Sequence, residues 1–259
     1  MKEMKTKLIS ERIAKKIARS GLCSRRKAES LILEGKVILN NKIVKQCNVN
    51  VNDTDIILIN GKPLPKSSTS RLWMFFKQRG YLVTENDPQG RPTIFQKLKS
   101  KTDVRLISIG RLDMNSEGLL LLTNDGKLAR KFELPSNAMP RIYRVRVHGI
   151  VKKQHLMSLY DGITIDGIKY RSISAKVEKQ TTSNAWITMK LIEGKNREIR
   201  KIMSYFGYRV NKLIRTSFGP FSIKSMKPGD LIEVNQKKIN QSLKYKKVVW
   251  ELFQENIKE

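Results

Sequence analysis

The stretch SIGRLDMNSEGLLLLTNDG, residues 108–126, places one carboxylate, Asp113, in a glycine-flanked loop ahead of four consecutive leucines. An unbroken apolar run bounded by turn residues reads as a strand buried on both faces. The segment VRLISI (104–109) before the loop reads as a second apolar strand. Working outward, RLWMFFK (71–77), GYLVT (80–84), IYRVRVHG (142–149) and AWITMKLIEG (185–194) are strand-like, whereas DGKLARKFEL (125–134) and NREIRKIMSYFG (196–207) have helical spacing. Strands without regular helical crossovers predict an α+β domain: a mixed, mainly antiparallel sheet with flanking helices.

The upstream third has a different texture. Ser10 is a candidate N-cap with Glu11 in the first turn, followed by Ile13, Ala14, Ile17 and Ala18 at helical spacing and a stop at Gly21. Ser24 is a candidate cap for RRKAESLILEG (25–35), which buries Ala28, Leu31 and Ile32. KVILN and NKIVK then suggest a hairpin turning at Asn40-Asn41, and DIILINGKPL (55–64) another strand with a turn at Asn60-Gly61. The polar faces of the two helices carry Arg12, Lys15, Lys16, Arg19, Arg25, Arg26 and Lys27, almost unopposed by acids. Two such faces in succession favour phosphate binding over a merely solvated surface. PKSSTSR (65–71) is polar and aperiodic and reads as a linker.

Fifty-two lysines and arginines against 23 acids give a net charge of +29, which points to a polyanionic partner, nucleic acid above all. No apolar run approaches the roughly 20 residues that a membrane span requires, and no exposed apolar helix face accompanies the basic residues, so no membrane partner is expected. The basic N-terminus lacks the apolar core of a secretion signal. Cys23 and Cys47 stand alone, as two free thiols suited to a reducing cytoplasm. With His148 and His155 as the only histidines, both read as surface residues, no metal site is expected and histidine-based nucleophilic catalysis is disfavoured. Neither a phosphate-binding loop nor a dinucleotide fingerprint is present, and acids are too sparse for a two-metal nuclease. Asp113 alone is left for chemistry, and an Asp in such a loop is equally a turn former.

Context tips that choice. RIAKKIARSGLCSRRKAESLILEGKVILNNKIV (12–44) resembles the S4-type RNA-binding domain, which implies recognition of structured RNA through shape and phosphates. GRLDMNSEGLLLLTNDG resembles the catalytic motif of the RsuA-type ribosomal RNA pseudouridine synthases. The likeness extends to GYLVTENDPQGRPTIFQKL (80–98), RIYRVRVHG (141–149) and EGKNREIRKIMSYFGYRVNKLIRTSFGPF (193–221). It implies an S4-type domain over residues 8–66, a linker at 67–71, a catalytic domain at 72–237 and a tail at 238–259 in which a short helix is expected. The large-subunit members are the closer match, with small-subunit enzymes as the alternative; a non-catalytic assembly factor on the same scaffold is the reading from another class.

The resemblance assigns Asp113 as the catalytic aspartate, Tyr143 as the active-site tyrosine, Arg200 as the basic partner of Asp113, and Arg111 as an arginine that helps hold RNA with its base flipped. Strand alternation puts Tyr143, Val145 and Val147 on one face and Arg144 and Arg146 on the other, so Tyr143 is placed equally well to stack on a uracil or to fill the core. On a helix from about Asn196 that buries Ile199, Ile202, Met203 and Phe206, Arg200 lies at the edge of the apolar stripe, where an ion pair with Asp113 is feasible. Arg197 points away, leaving it, Lys195 and Lys201 for phosphate or solvent. The implied reaction converts uridine in RNA to pseudouridine without a cofactor, acting on 23S rather than 16S ribosomal RNA or the assembling subunit, and nothing demands more than a monomer. Asp113 is compatible with a role as nucleophile, stabiliser or base. The sequence departs from relatives at Gln78, commonly proline, and at Glu198, a glutamine in many.

Overall fold

The computed structural model describes residues 10–244, which fall into two compact units. The first is built on the chain up to Ser70 with the short segments Asp103–Arg105 and Asn124–Gly126. It contains β1 (Glu11–Arg12), α1 (Ile13–Arg19), α2 (Arg25–Leu33), β2 (Val37–Leu39), β3 (Lys42–Val44), β4 (Asn50–Val51), β5 (Ile57–Ile59) and β6 (Lys62–Pro63). Both helices press Ile13, Ile17, Ala28 and Ile32 onto Val37 and Ile59 of the small sheet. Asn40 and Asn41 take φ of 46° and 66°, the backbone that a two-residue hairpin turn needs. Ser24 Oγ accepts the Lys27 N–H at 3.1 Å and caps α2 as expected.

The start of α1 differs from the sequence reading. Ser10 caps nothing: Glu11 and Arg12 pair with Val51 and Asn50 as a strand, and the helix begins at Ile13. Glu11 is nearly buried, with Arg19 at 2.5 Å and Lys15 at 3.7 Å. A carboxylate placed under two cations gains more there than in an exposed first turn, so tertiary pairing overrides the local capping preference. The expected linker is irregular but tethered. Asn124 donates to Ser68 Oγ and Thr69 O, each at 2.9 Å, and Ser70 donates to Asp125 at 2.5 Å.

The chain continues through β7 (Leu72–Lys77), α3 (Ile94–Leu98), β8 (Ile107–Ile109), β9 (Glu117–Thr123), α4 (Gly126–Glu133), β10 (Arg141–His148) and α5 (Lys153–Met157). It ends with β11 (Ile163–Ile165), β12 (Ile168–Tyr170), β13 (Ser174–Gln180), β14 (Asn184–Leu191), α6 (Glu198–Tyr205), β15 (Arg209–Phe218), β16 (Phe221–Ser222), β17 (Leu231–Val234) and α7 (Gln236–Leu243). The main sheet runs β13-β14-β10-β15-β9-β7-β17, with β16 on β15 and β8 on β9. Among the described residues its one parallel pairing is β9 with β15, and the fold is the expected α+β arrangement. Leu119 to Leu122 have no exposed surface, which is what an unbroken apolar run requires of a central strand. On one side Leu119 and Leu121 meet Phe132 of α4 and Phe218 of β15.

Gly118 is where β9 and β15 approach. Its φ is +102°, and a Cβ there would stand 2.2 Å from the Arg215 carbonyl oxygen. Gly118→Ala is therefore expected to cost about 3 kcal/mol or more, through backbone strain and overpacking together. Urea unfolding measures it, and an unchanged midpoint would contradict this close parallel pairing.

Three expectations are corrected here. GYLVT is not a strand: a single bridge joins Leu82 to Thr93, whose side chain forms a capping box with Gln96 at the start of α3. Leu82 gives its N–H to the Pro92 carbonyl and its carbonyl to the Ile94 N–H, so its backbone groups are satisfied without a sheet. His155 is half-buried rather than on the surface, bonded to Tyr208 Oη at 2.9 Å and stacked on Phe206 at 4.7 Å. Phe206, beyond the last turn of α6, is likewise only half-buried. The expected tail helix lies outside the described residues from 245 onward, although α7 precedes it, capped by Asn235.

Candidate active site

The Asp113 loop joins β8 to β9 and is held by its backbone. Asp113 O accepts the Ser116 N–H at 3.0 Å, and Met114 O accepts the Gly80 N–H at 2.8 Å. Beneath it lies Lys77, at the end of β7 and fully buried. Its ammonium donates to the carbonyls of Gln78 and Asp113 at 3.0 Å, Ser116 at 2.8 Å and Met114 at 3.4 Å. Burial brings its pKa down to about 8, and the charges of Asp113 and Glu117 oppose that fall. At neutral pH it is thus a cation clamped to the loop that presents Asp113. The sequence reading missed Lys77, whose one signal is a charge closing the apolar run LWMFFK.

Asp113, Tyr143 and Arg111 line one cavity of about 570 Å³, together with Arg141, Arg215 and Glu198. That volume lies in the range of small-ligand sites. Tyr143, Val145 and Val147 are buried and share a face of β10, whereas Arg144 and Arg146 are exposed, as strand alternation predicts. The register sets Tyr143 opposite Arg215 of β15, just past a bulge. Arg215 is 2% exposed and donates from Nε to Leu119 O at 2.7 Å. Arg141 donates to the carbonyls of Met139 at 3.0 Å and Ile192 at 2.8 Å, its guanidinium 4.7 Å from the Phe218 ring centroid. Sequence alone singled out neither arginine, and for Arg215 a bulge decides which residue of β15 meets Tyr143. A second cavity of about 970 Å³ shares Gly110 to Asp113, Gly194, Lys195 and Arg197 with the first and reaches Arg91. There Asp87 and Arg91 form a two-pronged pair at 2.7 and 3.1 Å.

The basic partner of Asp113 is not the one expected. Arg197 Nη1 lies 3.7 Å from Asp113 Oδ2. Arg200 instead donates to the Val210 carbonyl at 3.1 Å and the Asn115 carbonyl at 3.0 Å. The helical-wheel argument fails at Arg197 because that residue is not helical. It is the N-cap of α6, with φ 51° and ψ 32°, so its side chain leaves in a direction no wheel describes. A left-handed backbone costs a non-glycine residue about 1–2 kcal/mol, and here it turns the guanidinium toward Asp113. Arg200, half-buried, ties the Asp113 loop to the start of β15. Lys195 is occupied by the Lys169 carbonyl and by Glu193 at 3.4 Å.

In the first unit the basic residues also separate. Lys16 is engaged by the Asn52 carbonyl and by Asp53 at 3.1 Å, with its side chain 13% exposed, so it is committed to the fold. Arg25 pairs with Glu29 one helical turn on, at 3.3 Å. Arg12, Arg26 and Lys27 present exposed cations. No group of three or more metal-ligating side chains occurs among the described residues, and none of their helices is long and apolar enough to cross a membrane.

Residues 71–205, which carry Asp113, Tyr143, Arg197 and Arg200, match the RNA pseudouridylate synthase family. The chain belongs to that family. Its RsuA-type branch is the one that fits, and residues 11–57 match the S4 domain. An RNA pseudouridine synthase of Rickettsia felis is 49% identical over 228 residues, which cover 88% of this chain and 98% of the relative. A ribosomal large subunit pseudouridine synthase B of Pasteurella multocida is 36% identical over 89% of this chain and 68% of its own length. A pseudouridylate synthase crystal structure superposes with a TM-score of 0.61 at 26% identity, covering 89% of this chain and 99% of that one. The synthase match ends at Tyr205, so Arg215, whose strand closes the site, lies beyond it.

Proposed function

We propose that this synthase isomerises one uridine of large-subunit ribosomal RNA to pseudouridine, with Asp113 as the essential carboxylate and no cofactor. One observation carries the reading: Asp113 stands at a nucleoside-sized cavity with Arg197 beside it and Tyr143 among the lining residues. The reaction breaks the N1 glycosidic bond, turns the uracil and joins carbon 5 to the ribose. The carbon 5 proton leaves and N1 regains one, so the product is an isomer and no redox partner or group donor enters. An electron-poor ribose carbon calls for a carboxylate close by, as in glycoside cleavage. Tyr143 offers a ring for the extruded base to stack on, and the exposed guanidinium of Arg111 meets a flanking phosphate. Arg200 acts at one remove, by fixing the loop that holds Asp113.

Large-subunit RNA is favoured because relatives over most of the chain carry that name, at 36% identity for the one from Pasteurella multocida and 35% for the one from Yersinia pestis. Arg12, Arg25, Arg26 and Lys27 would anchor the same RNA by its backbone, and the cytoplasm is the compartment that holds it. Mapping pseudouridines in ribosomal RNA from cells with and without the gene tests the proposal. One large-subunit pseudouridine is expected to vanish without it and to return on complementation. Loss of a small-subunit site instead would move the substrate, and an unchanged map would remove the catalytic reading.

A further inference from the structure

Glu198, the first residue of α6, is 4% exposed. Its Oε2 accepts the Lys195 N–H at 2.9 Å. Its Oε1 is equally buried and has no hydrogen-bond partner among the described residues. Glu193 lines the same cavity and shares Lys195 with it, and its negative charge acts on Glu198. Glu193 has partners of its own: it accepts the Arg171 N–H at 2.8 Å and pairs with the Lys195 ammonium at 3.4 Å and the Arg171 guanidinium at 3.9 Å. Two ionised carboxylates have nothing to give each other. A single proton between them turns repulsion into a strong charge-assisted bond. Glu198, the more buried of the two and the one whose free oxygen has no hydrogen-bond partner among the described residues, is where that proton belongs.

We propose that Glu198 is a positioning residue that works as a carboxylic acid. It donates to Glu193 while accepting from the Lys195 backbone, and so closes the 193–198 turn that holds Arg197 against Asp113. The proposal rests on Asp113 being the reactive group. The charged and titratable groups facing Glu198 are Glu193 after β14, Lys195 in its own turn, Arg141 of β10 and Tyr170 of β12. Burial first and the charge of Glu193 second push its pKa up to about 7, against the pull of the Lys195 backbone and side chain. The clamp is therefore made at slightly acidic pH and released as pH climbs past neutrality. Glutamine has the same shape, one donor and one acceptor, and does not titrate.

The test uses the full chain and a ribosomal RNA fragment containing the mapped uridine. Wild-type kcat is expected to fall about threefold between pH 6 and pH 7.5, the loss of the protonated form across a pKa near 7. Glu198→Gln should keep the acid-side kcat over the whole range, Glu198→Ala should be at least about tenfold slower throughout, and RNA affinity should stay within about twofold in both. The same alkaline fall in Glu198→Gln, or wild-type kcat in Glu198→Ala, would overturn the proposal. Thermal unfolding supplies a readout independent of turnover. A carboxyl whose folded pKa is raised contributes stability below its unfolded pKa of about 4.3 and loses that contribution as pH climbs through 7. The melting temperature of wild type should thus drop relative to Glu198→Gln between pH 5 and pH 8. Parallel curves would sink the shared proton even if no pseudouridine is ever detected, whereas diverging curves without turnover would fault only the proposed reaction.

Discussion

Replacing Asp113 by asparagine is expected to abolish pseudouridine formation while leaving RNA binding intact. The substitution keeps size and polarity but removes the negative charge and the basic, nucleophilic oxygen that an electron-poor ribose carbon demands. Removing a group that acts directly on the reacting atoms costs on the order of 10³-fold or more in rate. The loop should survive, because Lys77, Ser116 and Arg200 hold it by main-chain carbonyls and amides that asparagine retains. Arg197 would lose its partner at 3.7 Å, a half-exposed contact worth roughly 0–1 kcal/mol. RNA affinity should hold or rise slightly, since one negative charge leaves a basic site. Single-turnover assays with a tritiated uridine substrate, beside direct binding, measure both effects. Activity within tenfold of wild type would end the assignment and favour a different reactive group or a non-catalytic binding role.

Replacing Lys77 by methionine should loosen the frame of the site and slow the reaction together. Methionine fills similar space but leaves the carbonyls of Gln78, Asp113, Met114 and Ser116 facing a thioether. Buried acceptors left without a donor cost about 1–3 kcal/mol each. Removing the buried ammonium also relieves its desolvation, so a net loss of about 3 kcal/mol is expected rather than the full sum. Because the Asp113 carbonyl is among the four, kcat should fall at least about tenfold even in the folded fraction. The titration supplies a further check. The lysine pKa is depressed to about 8 in the folded state, so between about 8 and the ordinary 10.4 the unfolded chain binds more protons. Wild type should therefore gain stability over the variant across that interval as pH rises. Urea unfolding at several pH values reads both effects, and a variant as stable as wild type at pH 7 would mean that water serves these carbonyls.

Much of this was legible before any coordinates. The apolar run Leu119–Leu122 could only be a strand buried on both faces, and Asn40-Asn41 could only turn a hairpin, because in each case the preference is local and nothing distant opposes it. The same holds for Ser24 as a cap and for the alternation of Tyr143, Val145 and Val147. Local preference failed where a distant partner had more to offer. Ser10 could have capped a helix, but Glu11 found Arg19 and a strand partner in Val51. GYLVT had the composition of a strand, but the α3 cap took its hydrogen bonds. Lys16 read as a phosphate ligand until Asp53, far along the chain, occupied it.

By itself, then, the sequence determined that an α+β synthase domain follows a small basic RNA-binding one, and that Asp113 sits in a loop between two apolar strands. The elements and the Asp113 loop follow from side-chain periodicity and turn chemistry, which act over a few residues, whereas the synthase and RNA-binding readings came from motifs that resemble known families. Only the tertiary structure decided which groups surround Asp113. A left-handed backbone at Arg197, outside any helical wheel, turned that arginine rather than Arg200 toward the carboxylate. A bulge in β15 set Arg215 opposite Tyr143. Burial converted Lys77 and Glu198 from ordinary charged residues into a loop clamp and a candidate acid. Each outcome depends on register, desolvation or a distant partner, which exist only once the chain has closed on itself.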